Sequence, residues 1–145
     1  MQDFIAVLDF GSQYTHLISK RIRHIGAYTR IFSPSTNENS LSKAKGIVLS
    51  GGPASVNSSK IPEFNSKLLK LNKPILGLCY GHQLIAQSFG GSISNSGKGE
   101  FGKAILEHKL DSPLWENISF PNQVWMSHQD SVTKCPEEFE VTAET

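Results

Sequence analysis

Residues 74–83 read PILGLCYGHQ. An apolar run of strand length, 74–78, passes directly into Gly77-Leu78-Cys79-Tyr80-Gly81. Leu84, Ile85 and Phe89 then recur at helical spacing up to Gly90-Gly91. A buried strand that delivers one residue onto a helix through paired glycines is the strand-to-helix unit of an α/β sheet. The turn is sharp, and glycine on either side removes side chains that would collide with neighbouring backbone. The residue between them is lifted out of the sheet to the first turn of a helix, where free amide N–H groups and the helix dipole favour negative charge. A bare cysteine near a strand end is usually a small buried hydrophobe. One set in G-x-C-x-G is placed for nucleophilic attack.

Working outward, the same alternation covers the first ninety residues. FIAVLDF (4–10) is a continuous apolar run, the pattern of a parallel strand buried on both faces. Tyr14, Leu17, Ile18, Ile22 and Ile25 follow at helical spacing, and Gly26 is a left-handed stop. AYTRIF (27–32) is a second strand and KGIVLSGGP carries a third at 46–49. Ile61, Phe64, Leu68 and Leu71 predict a second helix with Pro62 in its first turn. Beyond Gly91 the texture changes to short alternating runs, KAILEH (103–108), NQVWMSH (122–128) and FEVTAET (139–145), which read as antiparallel strands on the edge of the parallel sheet. The expected fold is α/β: an open, mostly parallel sheet with helices on both faces and antiparallel edge strands, one domain over residues 1–145. Ligands of such sheets bind at the carboxyl ends of the strands, where Ser12, Gly51-Gly52 and Cys79 fall.

Fourteen basic and thirteen acidic residues give a formal charge of +1, with no Lys/Arg cluster to bind nucleic acid. No apolar stretch approaches the ~20 residues of a membrane span. The opening MQDFIAVLDFGSQ has no basic flank of a signal peptide. The two cysteines, Cys79 and Cys135, could bridge in principle, but nothing else suggests a disulfide scaffold, and a reducing cytoplasm is the expected compartment.

LSGGP (49–53) ends a neighbouring strand, so Gly51-Gly52 can present backbone N–H groups to a developing oxyanion beside the N–H of Tyr80. The phosphate loop of ATP pyrophosphatases looks similar, yet Pro53 and Ala54 stand where it needs a flexible position and an acid. A cysteine nucleophile usually wants an imidazole base. His82 lies on the nucleophile's own helix and projects along it. His16 and His24 belong to the first helix, and His108 ends a strand. His128 in WMSHQD, followed by Asp130, is the local candidate for a base–orienter pair.

LDFGSQYTHLI, GIVLSGGPASV and PILGLCYGHQLIAQSFGG, followed in order by GKGEFGKAIL, SPLWENI and VWMSHQDSV, resemble the class I glutamine amidotransferase domain. DFGSQY and the WMSH stretch resemble its GMP synthetase branch most. The resemblance implies flavodoxin-like layering and attack by Cys79 on the side-chain amide of L-glutamine, giving a glutamyl thioester and ammonia. It implies oxyanion donors from Gly52 and Tyr80, and glutamine contacts from Gly51, Gln83, Ser127, His128 and Gln129. No cofactor or metal is implied in this domain. The ammonia would pass to an ATP-pyrophosphatase synthetase domain, in cis or in trans, which uses ATP and Mg to aminate XMP to GMP in a cytoplasmic, homodimeric full enzyme. His82 departs from the family's methionine and Gln129 from its glycine. The His-Pro-Glu segment that carries the family's base is not among the 145 residues, so the domain is expected to be C-terminally incomplete and nearly inactive alone. The alternatives are the glutaminase subunit of an anthranilate or carbamoyl phosphate synthetase type of enzyme, and a binding module without turnover.

Overall fold

The computed structural model of the chain describes residues 2–56, 61–95 and 99–145. These fall into two units, Met1–Ser88 and Phe89–Thr145. Gly97 and Lys98, the start of the GKGEFGKAIL stretch, lie outside the described residues.

The first unit contains β1 (Phe4–Leu8), α1 (Thr15–His24), β2 (Thr29–Phe32), β3 (Ala44–Leu49), β4 (Ile75–Gly77) and α2 (Tyr80–Ser88). Its four strands are parallel, in the order β2-β1-β3-β4. The central strands carry the core: Ala6, Val7 and Leu8 of β1 and Leu49 of β3 are fully buried. That is why their sequences are continuous apolar runs rather than alternating ones. The chain steps from β1 to β2 in one lateral direction and from β3 to β4 in the other. Gly26 and Gly90 end the two helices at φ +93° and +87°, as expected.

Two expectations in this unit are corrected. The helix predicted from Ile61, Phe64, Leu68 and Leu71 is a single 3-10 turn, Ser66–Lys70, and residues 61–65 are not helical. Asn65 is the cause. Its N–H donates to the Pro34 carbonyl at 3.1 Å, its side-chain amide donates to the Thr36 carbonyl at 2.9 Å, and its side-chain oxygen accepts from Lys67 N–H at 3.2 Å. These bonds tie the segment to the loop after β2 and compete with helix formation. Leu68 still reaches the core, at 1% exposure.

The face of α1 is also rotated from the apolar stripe read in sequence. Tyr14, Leu17 and Ile25 are exposed, while Thr15 and Ser19 are buried. The helix seats on β2 through a polar seam: Ser19 and Thr29 hydroxyls lie 2.6 Å apart, and Arg23 donates to the Thr29 hydroxyl and carbonyl at 2.8 and 2.9 Å. The hydroxyls of that seam bond one another, so it is stable without an apolar face.

The second unit is antiparallel. β5 (Ser92–Ser94) pairs with β8 (Ser131–Lys134), and β6 (Glu100–His108) lies between β7 (Asn122–His128) and β9 (Ala143–Glu144). The three alternating runs read in sequence fall in β6, β7 and β9 and form one antiparallel ladder, and β5 with β8 forms a second. β5 and β8, of three and four residues, are too short to show alternation. Among the described residues no helix is long and apolar enough to cross a membrane.

Candidate active site

In the first unit the register brings three strand ends together. Leu8 of β1 pairs with Leu49 of β3, and Leu49 pairs with Gly77 of β4. The segments that leave these residues, 9–12, 50–53 and 78–80, therefore emerge side by side. A Cβ on Gly51 would sit 3.5 Å from Cys79 Cβ and 3.7 Å from Ser12 Oγ, which places glycine, thiol and hydroxyl in one cluster.

Cys79 is exposed and its backbone is left-handed, at φ 50°. Few side chains with a Cβ adopt that conformation, and it costs on the order of 1–2 kcal/mol. The turn is held because nothing else fits. A Cβ on Gly77 would come within 2.6 Å of the Gly81 carbonyl and His82 N. One on Gly81 would collide with the Leu49 carbonyl oxygen and stand 2.6 Å from Leu49 Cβ. The two glycines of G-x-C-x-G are thus a packing requirement: the start of α2 lies directly on the central strand β3.

The donors around the thiol can be followed one by one. Leu78 N–H donates to the Leu49 carbonyl at 3.0 Å, Gly81 N–H to Leu78 at 3.0 Å, and Gln83 N–H to the Cys79 carbonyl at 3.1 Å. Tyr80 begins α2, so its N–H, next to Cys79, is a first-turn donor outside the helical ladder. Gly52 is pressed against the preceding loop, where a Cβ would lie 2.5 Å from the Phe10 carbonyl oxygen. Ser50, fully buried, fastens that loop: its hydroxyl accepts from Phe10 N–H at 3.0 Å and donates to the Gly51 carbonyl at 2.8 Å. Asp9 fixes the turn before α1, accepting from Gly11 N–H at 2.9 Å and from the Thr15 hydroxyl at 2.7 Å. Neither Ser50 nor Asp9 carries a sequence signal of its own beyond its position within LSGGP or DFGSQY.

Tyr80 has only its backbone to offer the turn. Its side chain is 1% exposed and packs on Phe10 with ring centroids 5.2 Å apart. The hydroxyl has no hydrogen-bond partner among the described residues, and burial pushes the phenol above its ordinary pKa. Tyr80→Phe should therefore leave the reactivity of Cys79 unchanged and raise stability by up to about 1 kcal/mol, because it removes an unpaired buried hydroxyl. A thermal melt below that of the parent would contradict this account. Gln83 is buried too, at 6% exposure.

In the second unit Ser127 and Gln129 are exposed at the end of β7, and His128 between them is half-buried. His128 Nε2 lies 3.0 Å from Glu100 Oε2, so the histidine is held by a carboxylate from β6 rather than by Asp130, the orienter expected from His-x-Asp. Asp130 is buried at 5% exposure, and His128 Nδ1 is buried without a partner among the described residues. Gln129 donates to the Asn95 side-chain oxygen at 3.4 Å. Cys79 and Cys135 are both free thiols.

The sequence profile of the family Glutamine amidotransferase class-I matches residues 6–145. The chain belongs to this family. Among curated relatives, the GMP synthase [glutamine-hydrolyzing] of Petrotoga mobilis is 45% identical over 141 residues, and that of Helicobacter pylori is 46% identical over 143. Each match takes in 97% of this chain, which spans 28% of the length of these relatives. Among solved structures, a protein of Thermoplasma acidophilum assigned as one subunit of a GMP synthase superposes with a TM-score of 0.83 at 28% identity, over 99% of this chain and 73% of that one. A glutamine amidotransferase of Thermotoga maritima, 18% identical, shares the fold with a TM-score of 0.72 over 99% of this chain and 67% of its own. For a class I amidotransferase, the left-handed cysteine of the β4–α2 turn stands at the position that the G-x-C-x-G pattern marks for the nucleophile.

Proposed function

We propose that the chain is the nucleophile-bearing part of the glutamine amidotransferase of a GMP synthase. The observation that carries this reading is Cys79, exposed and left-handed between two glycines that admit no side chain. Its sulfur attacks the side-chain amide carbon of L-glutamine, forming a C–S bond as the thiol proton leaves. Collapse of the tetrahedral adduct breaks the C–N bond, the departing nitrogen takes up a proton, and ammonia and a glutamyl thioester result. Water then cleaves the thioester to glutamate and restores the thiol. Backbone N–H groups of Gly52 and Tyr80 hydrogen-bond the oxyanion. Gly51, Gln83, Ser127, His128 and Gln129 hold the substrate.

The ammonia is consumed by an ATP-pyrophosphatase synthetase domain that uses ATP and Mg to activate XMP for amination to GMP. Identity near 45% to GMP synthases supports that partner in cis, and the likeness to a GMP synthase protein assigned as a single subunit supports it in trans. The full enzyme is read as a cytoplasmic homodimer. These 145 residues hold no His-Pro-Glu segment, and prepared as a fragment they are expected to release glutamate slowly.

A glutamine-analogue diazoketone tests the reading by mass spectrometry of the labelled chain. Cys79 should react at least about tenfold faster than Cys135, whose sulfur is half-buried and donates to the Phe139 carbonyl at 3.4 Å. Glutamate release should lie about 10³-fold or more below the ~10 s⁻¹ of an ordinary enzyme. Equal labelling of both thiols would favour a binding module. GMP formed from XMP, ATP and a synthetase partner at well below the chain's own rate of glutamate release would favour another amidotransferase.

A further inference from the structure

We propose that a cleft in the second unit is a site for a small organic cation of the quaternary or alkylated ammonium class. The cleft has a volume of about 530 Å³ and is lined in part by His108, Asp111, Trp115, Glu116, Ile118 and Phe120. That volume falls within the roughly 300–1,000 Å³ of small-molecule sites. The chemistry read at Cys79 makes no use of it, so the two proposals stand or fall separately. Three rings form the walls. Trp115 and Phe120 stand at 89° with centroids 5.5 Å apart, and the His108 ring lies 5.2 Å from that of Phe120. Rings at right angles make a corner, and aromatic corners attract cations through the negative faces of the rings. The corner is built in advance by backbone bonds. The Ser112 hydroxyl accepts from Leu114 N–H at 3.3 Å. Trp115 N–H donates to the Ser112 carbonyl at 2.9 Å, and Ile118 N–H to the Trp115 carbonyl at 2.9 Å.

Charge decides the sign of the ligand. Asp111 and Glu116 are exposed at the rim, and among the described residues no lysine or arginine lines the cleft. Lys109, beside His108 in sequence, is drawn instead to Glu144 at 2.6 Å. The cleft therefore lies in a negative field. Its walls decide which cation fits. Trp115 Nε1 is buried, and His108 Nε2 lies 3.1 Å from Asp111 Oδ1, so neither N–H is free for a ligand and the rings act through their faces. A guanidinium or primary ammonium would leave most of its donors unpaired against such walls. A quaternary ammonium has no donor to satisfy, and its methyl groups bury against Ile118 and the rings. The same unit already seats a cation on an aromatic face, with Lys103 Nζ 5.9 Å from the centre of the Trp125 ring.

The test is an NMR titration of the 145-residue chain with choline, compared with dimethylbutanol, its uncharged carbon isostere, and with guanidinium. The Trp115 indole N–H peak should shift and saturate with a Kd of about 1 mM, while the Trp125 peak stays in place. Dimethylbutanol should bind at least about tenfold more weakly. Asp111→Asn combined with Glu116→Gln, both at exposed positions, should weaken choline about tenfold. Trp115→Ala, followed at the Ile118 amide, should weaken it by at least about tenfold, and Trp115→Phe, which keeps a ring, should stay within about threefold of the parent. No saturation in the parent by about 50 mM choline, or equal shifts at both indoles, overturns the site. Equal binding of dimethylbutanol overturns it too, because charge would then have no part. Guanidinium binding tighter than choline overturns the ligand class and points to an arginine side chain instead.

Discussion

Gly81→Ala is expected to cost at least about 3 kcal/mol, a large share of the 5–15 kcal/mol that holds an ordinary domain together. The added methyl would meet the carbonyl oxygen of Leu49, with Leu49 Cβ at 2.6 Å and its carbonyl carbon at 2.8 Å. None of these atoms is the far end of a flexible side chain. Leu49 belongs to a central strand and is fully buried, so β3 cannot give way, and α2 would have to lift off the sheet. Lifting α2 opens the turn that presents Cys79, so reactivity falls with stability. Gly90→Ala provides the contrast. At φ +87° it too is left-handed, but nothing lies within 4 Å of its new Cβ, and only the conformational cost of about 1 kcal/mol applies. Chemical denaturation of the two variants separates collision from backbone preference. Equal destabilisation would mean that the close approach of α2 to β3 is not what Gly81 serves.

Cys79→Gly should leave only the slow labelling of Cys135 by the glutamine analogue and still yield a more stable protein than Cys79→Ala, by about 1 kcal/mol. Both variants remove the sulfur, and the side chain is exposed, so little packing is lost in either. They differ in backbone. Alanine keeps the left-handed strain at φ 50°, and glycine relieves it, although glycine gives back part of that gain through the greater freedom of its unfolded chain. Identical melts for the two variants would show that the turn holds no strain. A higher melt for glycine would show that the reactive geometry is maintained against the stability of the chain.

The parts of this architecture legible in sequence are those fixed by local pattern. Continuous apolar runs locate β1 and β3, glycines mark the ends of both helices, and G-x-C-x-G names the turn and the cysteine it presents. What escapes depends on partners distant in the chain. The stretch containing Phe64 and Leu68 has helical spacing, but Asn65 is bonded to the loop at Pro34 and Thr36, about thirty residues away. The stripe on α1 points to Leu17 and Ile25, whereas Thr29 on β2 selects Ser19 and Arg23 as the seat of the helix. His128 suggests Asp130 two residues on. Its carboxylate comes instead from Glu100, twenty-eight positions earlier, through a strand register that no short motif encodes.

The left-handed backbone at residue 79 also limits which chemistries are open to this fold by substitution. Branching at Cβ is excluded there, since valine, isoleucine and threonine at positive φ clash with their own main chain. Serine can follow cysteine into the turn, and threonine cannot. A lineage that abandoned sulfur for oxygen would have one hydroxyl residue available, and a secondary alcohol would require rebuilding the junction of β4 and α2 first.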